Sequence, residues 1–559
     1  MYGWLFSKNM SCSMREKKEV EDRPKGYFFK NLLNKFPKDI VYAQMKEFDC
    51  FFDGYILDKQ ELCRKYGETD WKDVFVKNCK NNIVEDDYRG GFCGFVACEN
   101  DTICFTDPLG NRVLYYYFQN NQLIISNNMN YVIKTLRENG IEPAFDENAA
   151  KYLMTFGAMP DDTTFIKDVK RVLPGYKVIF KNGEVIKERY YQIDNRKIIK
   201  GITEDEAIEM LDASFRCAIK REFDKDREYG YRHLVDLSGG LDSRMVTWVA
   251  HAMGYTDQVN VSYSRSDYLD QKISKQIAID LKHQYLFTPL DDCNWVYDVD
   301  EIVKMNNGAA LYSGISGGNR VLSLMNTGCF GIEHTGMVGD VIPSSFYKEE
   351  EIAYGSPRFD LHRYSNKLSY EFDSEILEEY PNQEIFALHT RGILCAASSY
   401  IIRQKYVETS SPFLDVDFVN TCMSLPFEYR KKHYIYLKWM EKKYPQATEY
   451  GWEKWGGVKP KLSHIKYRRF VTAKRLLQMK ANSIVKRTSK DNMNPLEYWY
   501  VNDKGILSFY QNYYEQNIDL IVVSEDIRND MKSLYETGTA TEKAMVLTIL
   551  GIFKNYFKE

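Results

Sequence analysis

The feature that most constrains the fold is a glycine-rich turn between a short apolar segment and a stretch suited to a helix. Residues 233–237 read HLVDL, residues 238–243 read SGGLDS, and RMVTWVAHAMG follows. At average residue usage, such a motif should occur by chance in a chain of this length with odds on the order of one in a thousand. A buried strand leading through glycines into a helix predicts an anion site, although a turn without a ligand is the alternative.

The chemistry of this turn suits phosphate and a metal ion. Two glycines let the backbone approach a polyanion, and successive amide groups at a helix start form a positively polarised nest. Ser238 and Ser243 can add hydroxyl donors. The carboxylate of Asp242 would repel phosphate by itself, but it fits if it holds Mg²⁺, which binds one or two carboxylates together with phosphate oxygens. The turn therefore predicts a site for a magnesium-bound phosphate compound.

Strand and helix patterns alternate after this turn. QVNVSYS, DQKISKQIAIDLK, YLFTPL and CFGIEHTG follow in order, and from about Glu349 the chain has mainly helical patterns rich in Lys, Glu, Tyr and Leu. Alternation of this kind predicts a parallel sheet covered on both faces. We expect an α/β nucleotide-binding domain with a helical carboxyl-terminal extension.

The first 190 residues have a different pattern, with short strands separated by turn residues. The sequence Lys181-Asn182-Gly183 between KVIF and EVIKERYY is a strong hairpin pattern. A helical pattern then begins after Thr203, a residue suited to capping a helix. These patterns predict an α+β domain of layered β-sheets over residues 1–200 and a second domain over residues 201–559.

Composition narrows the class of protein. The chain has 559 residues and a net charge of −4, so it has no overall field that would attract nucleic acid or an acidic membrane. Twelve cysteines without a CxxC pair favour a reducing compartment. The first residues lack the apolar core of a signal peptide, and the apolar run Ala544 to Phe553 is about half a membrane span. We expect a cytoplasmic protein without membrane insertion.

Several segments of the second half resemble the asparagine synthetase family. SGGLDS matches the pyrophosphatase-type (PP-loop) motif of that family, and Asp270 opens the helical segment after VNVSYS. The segment Thr335–Asp340, TGMVGD, stands where the family has SGEGxD. SPFLD at 411–415 and Leu425-Pro426 also match in order.

The resemblance implies roles for individual residues. Asp242 and Asp340 would share magnesium and pyrophosphate, and Lys454 would stabilise the negative charge of the reaction. The alternatives are a turn acid at Asp340 and a solvated charge at Lys454. Met337 replaces the family's glutamate, so the substrate does not carry over. Implied ATP contacts are Leu237, Ser238, Gly239, Gly240, Asp242, Ser243, Val261 and Gly336.

The first half resembles the glutaminase domain of the same family, an Ntn-hydrolase-like fold. Residues 107–116, DPLGNRVLYY, match the family's DPxGxRPLYY, and further matches lie at 156–157, 160, 164–165 and 173–175. The active family uses an amino-terminal cysteine, whereas this sequence reads Met1-Tyr2-Gly3, and Asp53-Gly54 replaces an Asn-Gly pair of the oxyanion hole. Cys12 is internal and is expected to be an ordinary thiol. We therefore expect no glutamine hydrolysis.

Together these features imply an AMP-forming carbon–nitrogen ligase that uses ATP and Mg²⁺ to activate a small-molecule or peptide carboxylate. The amine would be ammonia, free or from a partner amidase, or an amine on the substrate itself. Two alternatives remain: a tRNA-modifying adenylating enzyme and an inactive family scaffold. The basic stretch Lys459–Lys490 is either a solvated helix face or a dock for an anionic partner, and the net charge disfavours nucleic acid.

Overall fold

A computed structural model describes residues 2–558 except 13–20, 24, 82–87, 354–358, 360–363, 371–373, 466–472, 474–476 and 478–487. Two six-stranded antiparallel sheets form the first part of the chain, in the orders β10-β8-β9-β1-β3-β2 and β12-β11-β7-β6-β5-β4. Their strands are β1 Gly3–Lys8, β2 Glu21–Arg23, β3 Gly26–Asn31, β4 Val41–Gln44, β5 Phe48–Leu57, β6 Arg89–Cys98, β7 Asp101–Thr106, β8 Tyr115–Gln119, β9 Gln122–Ser126, β10 Val169–Arg171, β11 Tyr176–Lys181 and β12 Glu184–Arg189.

The two antiparallel sheets pack face to face through an aromatic core. Trp4 and Phe28 from one sheet meet Phe51 from the other, and the rings of Phe28 and Phe51 are 4.7 Å apart between centroids. Helices α1 (Lys59–Tyr66) and α2 (Trp71–Lys80) cover the outer face of the second sheet. Helices α3 (Met129–Glu138) and α4 (Glu147–Thr155) cover the first. This layered arrangement confirms the predicted fold class of the first half.

The predicted hairpin is present between β11 and β12. Lys181 pairs with Glu184, and the two turn residues, Asn182 and Gly183, both have positive φ, at 53° and 83°. Asparagine and glycine adopt this left-handed conformation at low cost, and it matches the twist of the flanking strands.

The second half contains a five-stranded parallel sheet in the order β15-β14-β13-β16-β17. Every neighbouring pair in this sheet is parallel. From β13 the chain adds β14 and then β15 on one side of the sheet, and it then adds β16 and β17 on the other side of β13. The point at which the direction of addition reverses, the switch point, therefore lies between β13 and β16. The strands are β13 Arg232–Asp236, β14 Gln258–Ser264, β15 Gln284–Pro289, β16 Phe330–His334 and β17 Glu408–Ser410.

Helices surround this sheet and extend beyond it. The first, α5, begins after Thr203, whose side chain and that of Glu206 form a capping box, as the sequence predicted. The helices are α5 Glu204–Glu228, α6 Asp242–Ala252, α7 Leu269–Asp280, α8 Val299–Met305, α9 Tyr312–Ser323, α10 Glu349–Ile352, α11 Ser374–Glu378, α12 Gln383–Ala387, α13 Ser399–Arg403, α14 Val416–Ser424, α15 Phe427–Arg430, α16 Tyr434–Lys443, α17 Leu496–Asn502, α18 Lys504–Asn517, α19 Glu525–Thr537 and α20 Ala540–Tyr556.

The halves share a core. Helix α20 is buried and packs in one hydrophobic cluster with α4 of the first half and α8 of the second. The antiparallel strands end at Arg189 and α5 begins at Glu204. The predicted division at residues 200 and 201 therefore falls in the connection, and its role as a boundary between folding units stays a prediction.

The cysteines and the apolar segments can be compared with the expected reducing compartment and the expected lack of membrane insertion. The cysteines among the described residues are free thiols. The run Ala544 to Phe553 lies inside the buried helix α20. A different helical segment, Gln383–Arg403, is long and apolar enough to cross a membrane, with a mean hydropathy of 1.4, but 59% of its window is buried in the protein, as in a core helix. The cytoplasmic location stays a prediction.

Candidate functional site

The glycine-rich turn joins β13 to α6 and is braced by its own side chains. The hydroxyl of Ser243 accepts from the amide of Ser238 at 2.9 Å and lies 3.0 Å from the hydroxyl of Ser238, which accepts from the amide of Gly240 at 3.1 Å. The amide of Gly239 donates to Oδ1 of Asp270 at 2.7 Å. The backbone amides of Ser238, Gly239 and Gly240 thus have acceptors within the protein. The two serine hydroxyls stabilise the conformation of the turn.

The start of α6 is the part of the turn best suited to an anion. This helix begins at Asp242 after Leu241, and no side chain caps its amino terminus. The first amide groups of a helix have no partner within the helix, and the helix dipole makes this end positive. We therefore place the predicted phosphate site at the backbone amides that begin α6 and no longer along the whole turn.

The second predicted loop, residues 335–340, follows β16 and lies directly against the first. A Cβ atom at Gly336 would be 2.3 Å from the amide nitrogen of Ser243, and one at Gly339 would be 2.7 Å from Cβ of Asp242. Both glycines are therefore needed for the close approach of the two loops. This contact lies at the carboxyl ends of β13 and β16, next to the switch point, where open α/β sheets bind their ligands.

The two predicted metal-binding carboxylates belong to this junction. Burial raises the pKa of Asp242 well above its usual value, and the charge of Asp340 raises it further. The hydroxyl of Tyr436 donates to Oδ1 of Asp242 at 3.0 Å. The two carboxylates offer oxygen atoms as ligands, which suits a hard divalent cation such as Mg²⁺.

Lys454 is also part of the site. Its ammonium group is 3.9 Å from Oδ2 of Asp340, 5.3 Å from the ring centre of Phe346 and 5.9 Å from that of Trp452. The side chain is 46% exposed. The three residues predicted to be catalytic are therefore brought together from the start of α6 (Asp242) and from two later segments (Asp340 and Lys454).

Val261 occupies a different position from the other predicted nucleotide contacts. Its side chain is buried in the core of the parallel sheet, and its carbonyl oxygen accepts from the amide of Leu237 at 2.8 Å. Leu237 is also buried, so both residues support the turn from beneath. Contacts between these two residues and ATP stay predictions.

Arg244 is a supporting residue that the sequence analysis missed. It is fully buried, and its guanidinium donates to the carbonyl oxygens of Gly239, Ala447, Tyr450 and Gly451 at 2.5–3.3 Å. It thus joins the glycine-rich turn to the loop that carries Lys454. An arginine directly after the motif was visible in the sequence, but three of its four acceptors are backbone atoms 203–207 residues away, which leave no pattern.

A cleft begins at Asp340 and Lys454. It contains about 930 Å³ of space that opens to solvent, and Phe346, Val338 and Leu388 supply apolar walls. Charged groups also line it, including Arg391 and Glu384, and Glu384 is paired with Arg430 at 2.9 Å. The cleft can hold a substrate with an apolar body whose reacting end lies beside Asp340.

A second cavity lies where the first half meets the second, and it contains the residues expected to replace the glutaminase machinery. Tyr2, Asp53 and Gly54 line this space of about 790 Å³, together with Glu408 from β17. None of its described lining residues is a cysteine. Cys12 lies elsewhere, with Sγ 3.7 Å from the hydroxyl of Thr135.

Comparison with known proteins identifies part of the chain. Residues 86–191 match the glutamine amidotransferase domain family, and this stretch contains the later strands of the two antiparallel sheets. This stretch of the first half is therefore similar to a domain of the amide-transfer class. A search of curated proteins finds no match.

Two solved structures show a weak likeness. The glutamine phosphoribosylpyrophosphate amidotransferase from B. subtilis, complexed with ADP and GMP, is 11% identical, with a TM-score of 0.19. The match covers 44% of this chain and 47% of that protein, less than half its length. A structure described as the allosteric regulatory enzyme of purine biosynthesis is 10% identical, with a TM-score of 0.22, and the match covers 51% and 74% of the two chains. The class of the first half therefore rests on the domain match.

Proposed function

We propose that this protein is an asparagine-synthetase-like, AMP-forming amide ligase. It activates a carboxylate with ATP, releasing pyrophosphate, and the acyl-adenylate then reacts with an amine to give an amide and AMP. The observation that carries the proposal is the junction of the two loops at the switch point of the parallel sheet, where Asp242, Asp340 and Lys454 meet beside the start of α6, which no side chain caps.

The proposed division of labour follows from the positions of these groups. The amides at the start of α6 bind phosphate oxygens, while Asp242 and Asp340 hold Mg²⁺, which when bound offsets the negative charge of the pyrophosphate leaving group. Lys454 lies at the mouth of the cleft, where it stabilises negative charge that develops during adenylation. Tyr436 fixes the orientation of Asp242 through its hydrogen bond.

The substrate side of the proposal rests on the cleft. Its apolar walls favour a carboxylate with an apolar body over aspartate. Met337 stands where the resembled family has a glutamate, which also separates this site from the use of aspartate. In this proposal the amine comes from ammonia or from the substrate. Tyr2 and Asp53, which line the cavity of the first half, stand where the resembled family has its cysteine and an oxyanion-hole asparagine.

The competing functions find less support. A tRNA-modifying enzyme would use the basic stretch Lys459–Lys490, most of which lies outside the described residues; of the described part, Lys459 and Lys461 form ion pairs with Glu449. An inactive scaffold would have no need to keep Asp242, Asp340 and Lys454 together.

The test is the release of pyrophosphate and AMP from ATP and Mg²⁺ with a panel of carboxylates, comparing ammonia with glutamine. We expect carboxylate-dependent release that ammonia supports and glutamine does not. Asp242→Asn keeps the size of the side chain and should abolish release, whereas Asp257→Asn, at a surface carboxylate paired with Arg232, should not. Release that survives Asp242→Asn would disprove the site, and release supported by glutamine would disprove the loss of glutaminase activity.

A further inference from the structure

The cavity at the junction of the two halves has polar walls that the proposed ligase reaction does not use. Asp53 and Asn127 line it from the first half, and Gln404 and Glu408 from the second. The space between the lining residues is about 790 Å³, part of which opens to solvent. The amides of Asn34, Asn128 and Asn307 add further neutral polar groups to the walls.

Asp53 is the unusual group in this cavity. It is 4% exposed, and the hydrogen bond to its Oδ2 comes from the neutral amide of Asn127 at 3.1 Å. The oxygen of the same amide accepts from the backbone of Trp4 at 2.8 Å, so the NH₂ group of Asn127 must point toward Asp53. The carboxylate is thus held in place by a group that carries no charge.

Arg112, Lys35 and Lys405 line the same cavity, and each of them also has another partner. Arg112 donates to Oε1 of Glu408 at 2.6 Å, Lys35 donates to the carbonyl oxygen of Thr327, and Lys405 pairs with Glu301 at 3.2 Å. Within the described part of the chain, Asp53 has no ion pair. Burial raises its pKa, and Arg112 only partly opposes this effect. Arg112 is thus shared by two buried carboxylates, Asp53 and Glu408, so one buried cation offsets two negative charges.

We propose that this cavity binds a protonated primary amine, with Asp53 as the counter-charge. A carboxylate attracts an ammonium group, and the surrounding side-chain amides can accept its remaining N–H groups. The resembled family has asparagine at this position, where it faces an oxyanion. The carboxylate of aspartate instead repels an oxyanion and attracts a cation. The substitution that disfavours glutamine hydrolysis therefore favours binding of a cationic ligand. The proposal does not depend on the ligase reaction.

Calorimetric titration of the full-length protein at pH 8 tests the proposal. Butylammonium chloride is the probe, and 1-butanol, which has the same carbon chain without the charge, is its control. Asp53→Asn removes the charge and keeps the shape. Asp49→Asn is the matched control, because Asp49 lies on the same strand, is buried, and is near Lys25 outside the cavity lining.

The expected result is binding of butylammonium to the wild-type protein and to Asp49→Asn, with affinity at least about tenfold weaker in Asp53→Asn. Butanol should give no saturable heat. Equal binding of butanol, unchanged affinity in Asp53→Asn, or no binding of butylammonium at millimolar concentration would each overturn the proposal. The comparison of the two probes on the wild-type protein tests the charge requirement even if Asp53→Asn does not fold.

Discussion

Gly336 lies so close to the amide nitrogen of Ser243 that a side chain at position 336 would reach within 2.3 Å of it. Because the nearest atoms are backbone, neither side can rotate away. We predict that Gly336→Ala separates the two loops, destabilises the protein by about 1–3 kcal/mol and weakens ATP binding at least about tenfold. Urea denaturation and a titration with ATP and Mg²⁺ measure the two effects.

The matched control for this substitution is Gly314→Ala. Gly314 lies in helix α9, and a Cβ atom there would meet no atom within 4 Å. We expect unchanged ATP binding and a gain in stability of up to about 1 kcal/mol from the better helix former. If the two variants behave alike, the close approach of the two loops is not required for the site.

The buried guanidinium of Arg244 provides a second prediction. Burial lowers its pKa to about 10, and its donors satisfy four carbonyl oxygens across two loops. We predict that Arg244→Met leaves these acceptors unpaired and lowers the free energy of unfolding by about 3 kcal/mol. Arg232→Met, which removes a surface ion pair with Asp257, should cost less than about 1 kcal/mol in the same urea titration. Similar losses in both variants would contradict the bracing role.

Lys454 should matter for rate more than for stability. Its side chain is about half exposed, yet its ammonium group lies beside Asp340 at the mouth of the cleft. We predict that Lys454→Met slows pyrophosphate release by about 10²–10³-fold and leaves the melting temperature nearly unchanged. Lys431→Met is the control, since Lys431 also lies over an aromatic ring, that of Phe427, at a different place. A rate close to wild type in Lys454→Met would remove this residue from the mechanism.

The parts of the structure that could be predicted from the sequence are those with local patterns. The turn at 238–243 follows a strand and precedes a helix because glycines and apolar residues are adjacent in the chain. The hairpin at Asn182 and Gly183 has the same origin, since both residues tolerate positive φ. The capping box at Thr203 also depends on residues three positions apart.

The parts that could not be predicted depend on contacts between distant residues. Tyr436 bonds to Asp242 across 194 positions, and Asn127 bonds to Asp53 across 74. Tyrosine and asparagine are common residues, and nothing in their sequence neighbourhood indicates which carboxylate they will contact. Gln383–Arg403 was missed as an apolar segment because His389 and Arg391 interrupt its apolar residues.

The last prediction concerns a buried group of ionisable side chains between helix α5 and strands β13 and β16 of the parallel sheet. Nε2 of His334 is 2.8 Å from a carboxylate oxygen of Asp226, and Nδ1 is 3.0 Å from one of Glu222. Burial opposes a charge on this imidazole, but the two carboxylates outweigh it and raise the pKa of His334 to about 9. The same oxygen of Asp226 also lies 3.0 Å from Nδ1 of His233, so the four side chains form one connected group.

The raised pKa makes stability depend on pH in a definite direction. The folded state holds the proton on His334 more tightly than the unfolded state does, so the stabilisation is complete below about pH 6.5 and is lost as pH rises through about 9. The proton on His334 contributes roughly 3 kcal/mol to the free energy of unfolding at low pH. Urea unfolding of the wild-type protein and His334→Gln between pH 6 and 9.5 should show a difference that shrinks with rising pH. His464→Gln, at a histidine outside this group of side chains, is the control substitution. If His334→Gln does not fold, an NMR titration of the wild-type histidines replaces it, and an imidazole at position 334 that is neutral at pH 7.5 would contradict the prediction.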